Sequence, residues 1–256
     1  MRITALAENT SSCFLPAEHG LSLFVETTAC RFLFDMGQGS LFAHNAEQLG
    51  IDLAGADFAV VSHGHYDHGG GLETFLSVNS RAPVYMSRFA FEPHFNAENQ
   101  DIGLDRSLEG SCRIRHVEDS LSPAEGITLC CPAPVTSSSF GAGGLGMLRN
   151  GQIVPEDFRH ELYLLAEENG RRILLSGCSH RGILNIMARF RPDVFIGGFH
   201  LFHAPLDGTL LDIARKLESF GALYITGHCT GVEQFRYMQK ALPGMRYLST
   251  GESITV

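Results

Sequence analysis

The chain has 256 residues, 44% hydrophobic and 18% charged, enough for a large buried core and ordinary for a globular protein. A formal charge of −9 excludes a protein that holds long nucleic acid by general electrostatic attraction, and leaves small anions open. No run approaches ~18 apolar residues, and Glu8 interrupts the N-terminus before a signal-length apolar core, so a cytoplasmic protein with no membrane partner is expected.

Arg2 to Ala7 predicts a first strand, followed by the polar loop Asn9-Thr10-Ser11-Ser12. Leu21 to Glu26 and Cys30 to Asp35 read as two strands joined across Thr27-Thr28-Ala29, and Asp35-Met36-Gly37 turns the chain. Ser40 is placed to cap a helix carrying Leu41, Phe42, Ala46 and Leu49 toward the core, with Gly50 ending it. Phe58 to Val61 has the short apolar pattern of a buried strand, and it runs directly into Ser62-His63-Gly64-His65-Tyr66-Asp67-His68-Gly69-Gly70-Gly71.

Beyond that stretch, Leu72 to Leu76 reads as helix and Pro83 to Met86 as the next strand of an alternating order. From Ser87 to Ser120 no period is sustained, so Phe89, Phe91, His94 and Phe95 are expected in an irregular excursion over the site. Ile127 to Cys131 is a strand stopped by Pro132, and Ser137 to Gly144 has the composition of a lid loop. Leu162 to Glu167 and Arg172 to Ser176 form a hairpin across Glu168-Asn169-Gly170-Arg171, entering Gly177-Cys178-Ser179-His180. A helix with Ile183, Leu184, Ile186, Met187 and Phe190 on its apolar side follows. Asp193 to Ile196 leads into Gly197-Gly198-Phe199-His200, and Leu223 to Thr226 into Gly227-His228-Cys229-Thr230-Gly231. Leu210, Leu211, Ile213, Ala214 and Leu217 have helical spacing, Thr230 with Glu233 reads as a capping box, and Tyr247 to Glu252 as a last strand and turn. Two sheet-forming halves with helices after the histidine loops predict an α/β (α+β) sandwich of two sheets covered by helices.

The histidine stretch carries the chemistry. In an extended segment His63 and His65 project to the same side and can chelate one ion, whereas Asp67 and His68 lie where the chain turns and can face a second. An adventitious histidine-rich loop would not require this N,N,O,N donor set at a strand end. The pattern H-x-H-x-D-H resembles the signature of the metallo-β-lactamase superfamily. Two ions need further donors, and His180 and His228 each follow a β-rich run in a Gly-bounded turn before a helix. The expected ligands are therefore His63, His65 and His180 for the first ion, and Asp67, His68 and His228 for the second. Cys178 at its strand end is open between a bridging thiolate and a core cysteine. His160, beside Glu161, is a second-ranked alternative to His180, and His94 lacks a donor at chelating spacing. Substrate contacts are assigned to His200 and Phe199, with His19 able to reach the same edge. The seven cysteines form no C-x-x-C pair, which is poor material for a disulfide framework.

Taken together, Glu18-His19-Gly20-Leu21-Ser22, Phe34-Asp35-Met36-Gly37, the His63 to Gly70 loop, Ser176 to His180, Gly197 to Leu201 and Gly227 to Gly231 resemble one branch of that superfamily. It is the 7,8-dihydropterin-6-yl-methyl-4-(β-D-ribofuranosyl)aminobenzene 5′-phosphate synthase-like branch. The resemblance spans nearly the whole chain. It implies an αββα sandwich of two mixed sheets flanked by helices, one domain over residues 1–256, a dinuclear site and a cytoplasmic enzyme. The better-known lactamases place a third histidine before the hairpin and end its second strand in Asp, whereas here that strand ends in Cys178 with His180 two residues on.

The expected cofactors are two divalent transition-metal ions, zinc first, with manganese or iron as alternatives. Such ions lower the pKa of bound water from ~15.7 to ~7, and Asp67 would orient the resulting nucleophile. Gly-x-Ser-x-Gly is absent, which removes the usual serine-hydrolase route. A small-molecule substrate is expected, either a phosphodiester or a phosphate-bearing, pterin-like metabolite. Thioester or lactone hydrolysis on the same site is one alternative, and a non-catalytic metal-binding sensor module is the other.

Overall fold

The computed structural model describes residues 1–132 and 143–256. The lid expected over Ser137 to Gly144 lies outside the described residues except for Gly143 and Gly144, which form a turn. Two seven-stranded mixed sheets dominate, and both follow one plan. In the first, Ser253–Thr255, Arg2–Ala7, Ser22–Glu26 and Arg31–Phe34 pair antiparallel in that order. Phe58–Val60, Val84–Ser87 and Ile114–Val117 then continue it in parallel. In the second, Ser120–Ala124, Ile127–Cys130, Tyr163–Glu168 and Arg171–Ser176 are antiparallel. Val194–Gly197, Leu223–Thr226 and Arg246–Tyr247 extend it in parallel.

Alternation along each strand sorts the apolar side chains into layers. Phe32, Phe34, Phe58 and Val60 point inward and meet Leu164, Ile173, Leu175 and Ile196 of the opposite sheet. Their neighbours Leu33, Ala59 and Val61 point outward, against Phe42, Ala46 and Phe75 of helices Leu41–Gln48 and Leu72–Val78. On the far side, Leu174, Phe195 and Tyr224 pack on Met187, Leu210, Leu217 and Met238. Those come from helices Ile183–Phe190, Gly208–Glu218 and Val232–Met238. The order helix, sheet, sheet, helix is the αββα sandwich.

Local chemistry explains the turns. Glu168 pairs with Arg171 across Asn169 (φ 52°) and Gly170 (φ 73°), the two left-handed positions that a type I′ hairpin requires. Asn150 (φ 50°) and Gly151 (φ 77°) do the same between Gly146–Arg149 and Gln152–Pro155, which join His94–Phe95 in a small sheet that the sequence pattern does not predict. Ile114–Val117 and Ser120–Ala124 likewise place regular strands at the end of the span read as irregular. Neither expected helix cap forms through its hydroxyl. Ser40 makes no side-chain cap bond. Thr230 sits in a one-turn 3-10 segment, Gly231 precedes the helix, and the Thr230 hydroxyl instead accepts the Phe199 amide at 2.9 Å. What matters for function is the shared edge: the loops after Val60, Ser176, Gly197 and Thr226 all leave carboxyl ends of parallel strands, where α/β sheets gather ligands.

Candidate metal centre and its cavity

Phe34 and Val60 are register partners in parallel strands, so Asp35 arrives beside Ser62 at the head of the histidine loop. Asp35 is fully buried with φ 60°. Its Oδ1 accepts the Ser62 amide at 2.7 Å, and its Oδ2 accepts the Ser62 hydroxyl at 2.7 Å and His68 Nδ1–H at 2.6 Å. Because the Ser62 hydroxyl proton goes to Asp35, its oxygen accepts from His63 Nδ1 at 2.9 Å. One carboxylate thus ties back Nδ1 of both His63 and His68, and turns both Nε2 atoms away from itself toward the other donors.

The other loops repeat the device. Glu161 Oε1 accepts His180 Nδ1–H at 3.0 Å and the His180 amide at 2.6 Å, and its other oxygen accepts the Tyr163 hydroxyl at 2.6 Å. Asn9 Oδ1 accepts His228 Nδ1–H at 2.8 Å, while buried Glu8 accepts the His228 amide at 2.5 Å and the Tyr247 hydroxyl at 2.8 Å. Glu156 accepts His94 Nδ1–H at 2.7 Å. His160 is the exception: its Nδ1 accepts the Gly64 amide at 2.8 Å, which leaves its ring proton on Nε2.

The bared nitrogens converge. Donor atoms of His63, His65 and His180 lie within 4.8 Å of one another, as do those of His63, His68 and Cys178. His65, His94 and His160 make a further grouping, so both His160 and His94 stand closer to the centre than their sequence context suggests. His68 Nε2 is 3.1 Å from His228 Nε2 and 3.2 Å from Cys178 Sγ. Asp67 Oδ2 is 3.3 Å from His228 Nε2 and 3.9 Å from His68 Nε2. The Nε2 atoms of His63 and His65 are buried without a hydrogen-bond partner among the described residues. Buried polar atoms normally have one, and oriented imidazoles with bare nitrogens beside a carboxylate and a thiol fit divalent metal.

Electrostatics divides the cluster. Burial, reinforced by neighbouring imidazoles, holds His63 and His65 well below the usual histidine range, so both are neutral and ready to ligate. For His68 burial acts downward but Asp35 and Asp67 outweigh it, raising the pKa to about 9. Burial would push Asp67 up, yet His68 and bonds from His19 and His228 hold it well below the carboxylate range. Burial and the Cys229 sulfur push Cys178 well up, whereas for Cys229 the pull of Cys178, His200 and His228 overcomes burial.

A cavity of about 200 Å3 opens on this cluster, with His65, Asp67, Cys178, His180, His200 and His228 in its wall. His19 also lines it, 3.3 Å from Asp67 and ring to ring with His228 at 5.0 Å. Phe199 does not. Its ring is buried between Phe195 and Tyr224, because His200 turns left-handed (φ 52°) and sends the two side chains to opposite sides. Phe202 takes the place expected of Phe199: it lines the cavity with Tyr66, and the two are 37% and 40% exposed. From the excursion Asn96 and Ile102 reach the cavity, not the phenylalanines; Arg159 covers the Phe89 ring and Phe91 is buried. Asp35, Glu161, Glu8 and Asn9 are site residues that the sequence reading does not assign. Only Asp35 carries a readable signal, a carboxylate ending the strand next to the one that feeds the histidine loop.

The family model for the Metallo-beta-lactamase superfamily matches residues 15–228, and the chain belongs to that superfamily. An uncharacterized protein of Methanocaldococcus jannaschii is 27% identical over 240 residues, covering 90% of each chain. The 7,8-dihydropterin-6-methyl-4-(beta-D-ribofuranosyl)-aminobenzene-5′-phosphate synthase of the same organism is 25% identical over 295 aligned positions, covering 99% of this chain and 96% of that one. The crystal structure of a metal-dependent hydrolase of the beta-lactamase superfamily superposes with a TM-score of 0.87 at 28% identity, covering 100% of this chain and 99% of its own. Among the described residues no helix is long and apolar enough to cross a membrane.

Two outcomes follow from the orienting carboxylates. Asp35→Asn keeps the shape but offers an amide N–H where Ser62 or His68 needs an acceptor, and metal affinity should fall by about 10–100-fold in a chelator competition. An unchanged affinity would remove Asp35 from the account. In metal-free protein, His68 is raised from 6.5 to about 9, so its contribution to stability is complete below pH 6.5 and is lost as pH rises through about 9. The loss amounts to roughly 3 kcal/mol. Denaturant titrations of metal-free wild type and His68→Gln should show that fall only in the wild type.

Proposed function

We propose that the protein is a dinuclear metal-dependent hydrolase of a small phosphodiester or phosphate-bearing metabolite with a flat, pterin-like ring. The observation that carries the reading is the convergence of Nδ1-anchored imidazoles on one buried cluster, from which His180 and His228 reach the cavity wall, with two half-exposed aromatic rings on the same cavity. His63, His65 and His180 would hold one ion and Asp67, His68, Cys178 and His228 the other, with zinc the best match to this N, O and S donor set. When bound, the ions supply Lewis acidity and lower the pKa of water in the site.

The chain's own residues do the rest. Asp67, kept ionised, can orient a water and accept its proton, and His19, which the Asp67 bond holds above the usual histidine range, can give a proton to the leaving oxygen. His200, whose Nδ1 is buried and unpartnered among the described residues, faces the cavity as a contact for a substrate oxygen. Tyr66 and Phe202 present π-faces that a planar ring can stack on, while Leu145 and Ile102 exclude water around it. The pterin-pathway name of the 25% identical relative supports a ring of that kind.

One observation favours a second reading. The cavity wall contains no lysine or arginine among the described residues, so phosphate charge would be balanced only by ions and imidazoles, a demand that a neutral thioester or lactone does not make. The two readings separate in kcat/KM for a chromogenic phosphodiester against a thioester and a lactone, using metal-replete protein. The phosphodiester should be preferred, and Asp67→Ala should lower its turnover by more than about 100-fold. Preference for a carbonyl substrate, abolished by the same substitution, would overturn the phosphate assignment. No turnover of any of them would point to the sensor module.

A further inference from the structure

Cys229 belongs to none of the ligand sets above, yet the residue lines the cavity and is only 3% exposed. A cysteine that merely fills a core is surrounded by apolar side chains. The neighbours of this one are polar. The Cys229 sulfur accepts the His200 amide at 3.2 Å, and its carbonyl accepts the next two amides, of Leu201 and Phe202, at 2.9 and 3.0 Å. Three successive backbone N–H groups therefore fix where the thiol sits. Gly198 makes the room: a Cβ there would come within 2.2 Å of the sulfur. The left-handed turn at His228 (φ 48°) lets two adjacent residues, His228 and Cys229, present their donors to the same space.

We infer that Cys229 is a second thiolate ligand, which with Cys178 and His228 makes the second metal position a sulfur-rich site for a thiophilic divalent ion. This rests on the metal-centre reading given above. The sulfurs of Cys178 and Cys229 and a ring nitrogen of His228 already lie within 4.8 Å of one another. Thiolates about 2.3 Å from a four- or five-coordinate ion stand about 3.3–3.8 Å apart, so closure needs at most about 1.5 Å of movement. On coordination both thiols give up their protons to solvent, that of Cys229 now being directed at the Cys178 carbonyl at 3.6 Å, and the His200 N–H remains as a donor to the Cys229 thiolate. Sulfur donors bias this position toward zinc, cobalt or iron and away from magnesium and manganese.

Cobalt(II) loaded into wild type, Cys178→Ser and Cys229→Ser gives a readout independent of turnover. Wild type should show thiolate-to-cobalt charge-transfer absorption, each single substitution should remove roughly half of it, and the visible bands from imidazole-bound cobalt should persist. Full charge-transfer intensity in Cys229→Ser, with cobalt still bound, would overturn the assignment while leaving the metal centre intact. Failure of every form to bind cobalt would overturn the metal centre as well. X-ray absorption on zinc-loaded wild type decides the same question without a variant: sulfur from two cysteines per chain supports the assignment, and from one contradicts it.

Discussion

The Asp35 carboxylate, fully buried at the end of a strand, is the constraint on which the rest of the centre depends. It binds an amide, a hydroxyl and an imidazole at 2.6 to 2.7 Å, and through the hydroxyl it reaches a second imidazole. A charged group with no solvent is costly unless every lone pair is used, and here the charge is used to hold two rings in one tautomer. The parallel pairing of Arg31–Phe34 with Phe58–Val60 makes this possible, because it delivers Asp35 and Ser62 side by side. Removing the carboxylate would free both rings to rotate and leave Ser62 without its acceptor.

The same logic runs through the site. Glu161 serves His180, Asn9 serves His228, and Glu156 serves His94, so each ring has its Nδ1 tied back and its Nε2 turned inward. On one flank His63 and His65 are neutral through burial; on the other His68 and Asp67 sustain opposite charges in contact. A proton on His68 thus occupies the region where the second metal position is proposed, and protons and metal compete there.

Much of this is legible in the chain. The αββα layering follows from apolar runs of strand length alternating with helical spacing, and the His63 to His68 loop announces donors at a strand end. His180 and His228 can be placed because Gly-bounded turns after apolar strands share one edge in such sheets. What the sequence does not disclose is whatever depends on side-chain direction. Phe199 and His200 are adjacent, and only the left-handed turn at His200 decides that the histidine lines the cavity and the phenylalanine enters the core. The orienting groups Glu8 and Asn9 act across sheets, at separations such as the 220 residues between Glu8 and His228, and Glu161 acts from a neighbouring strand, which no local pattern encodes. The Gly146 to Pro155 hairpin does carry a local signal, since Asn150-Gly151 is a strong turn pair. The polar tract that precedes it masks that signal.

The central claim is that loops from the carboxyl ends of two sheets assemble one two-ion centre. Elemental analysis of protein reconstituted under mild conditions tests it most directly, in wild type and in His228→Ala, which removes a donor from the second position only. The account predicts two transition-metal ions per chain in the wild type and one in the variant. A reproducible single ion in the wild type, or metal content unchanged by His228→Ala, would contradict it.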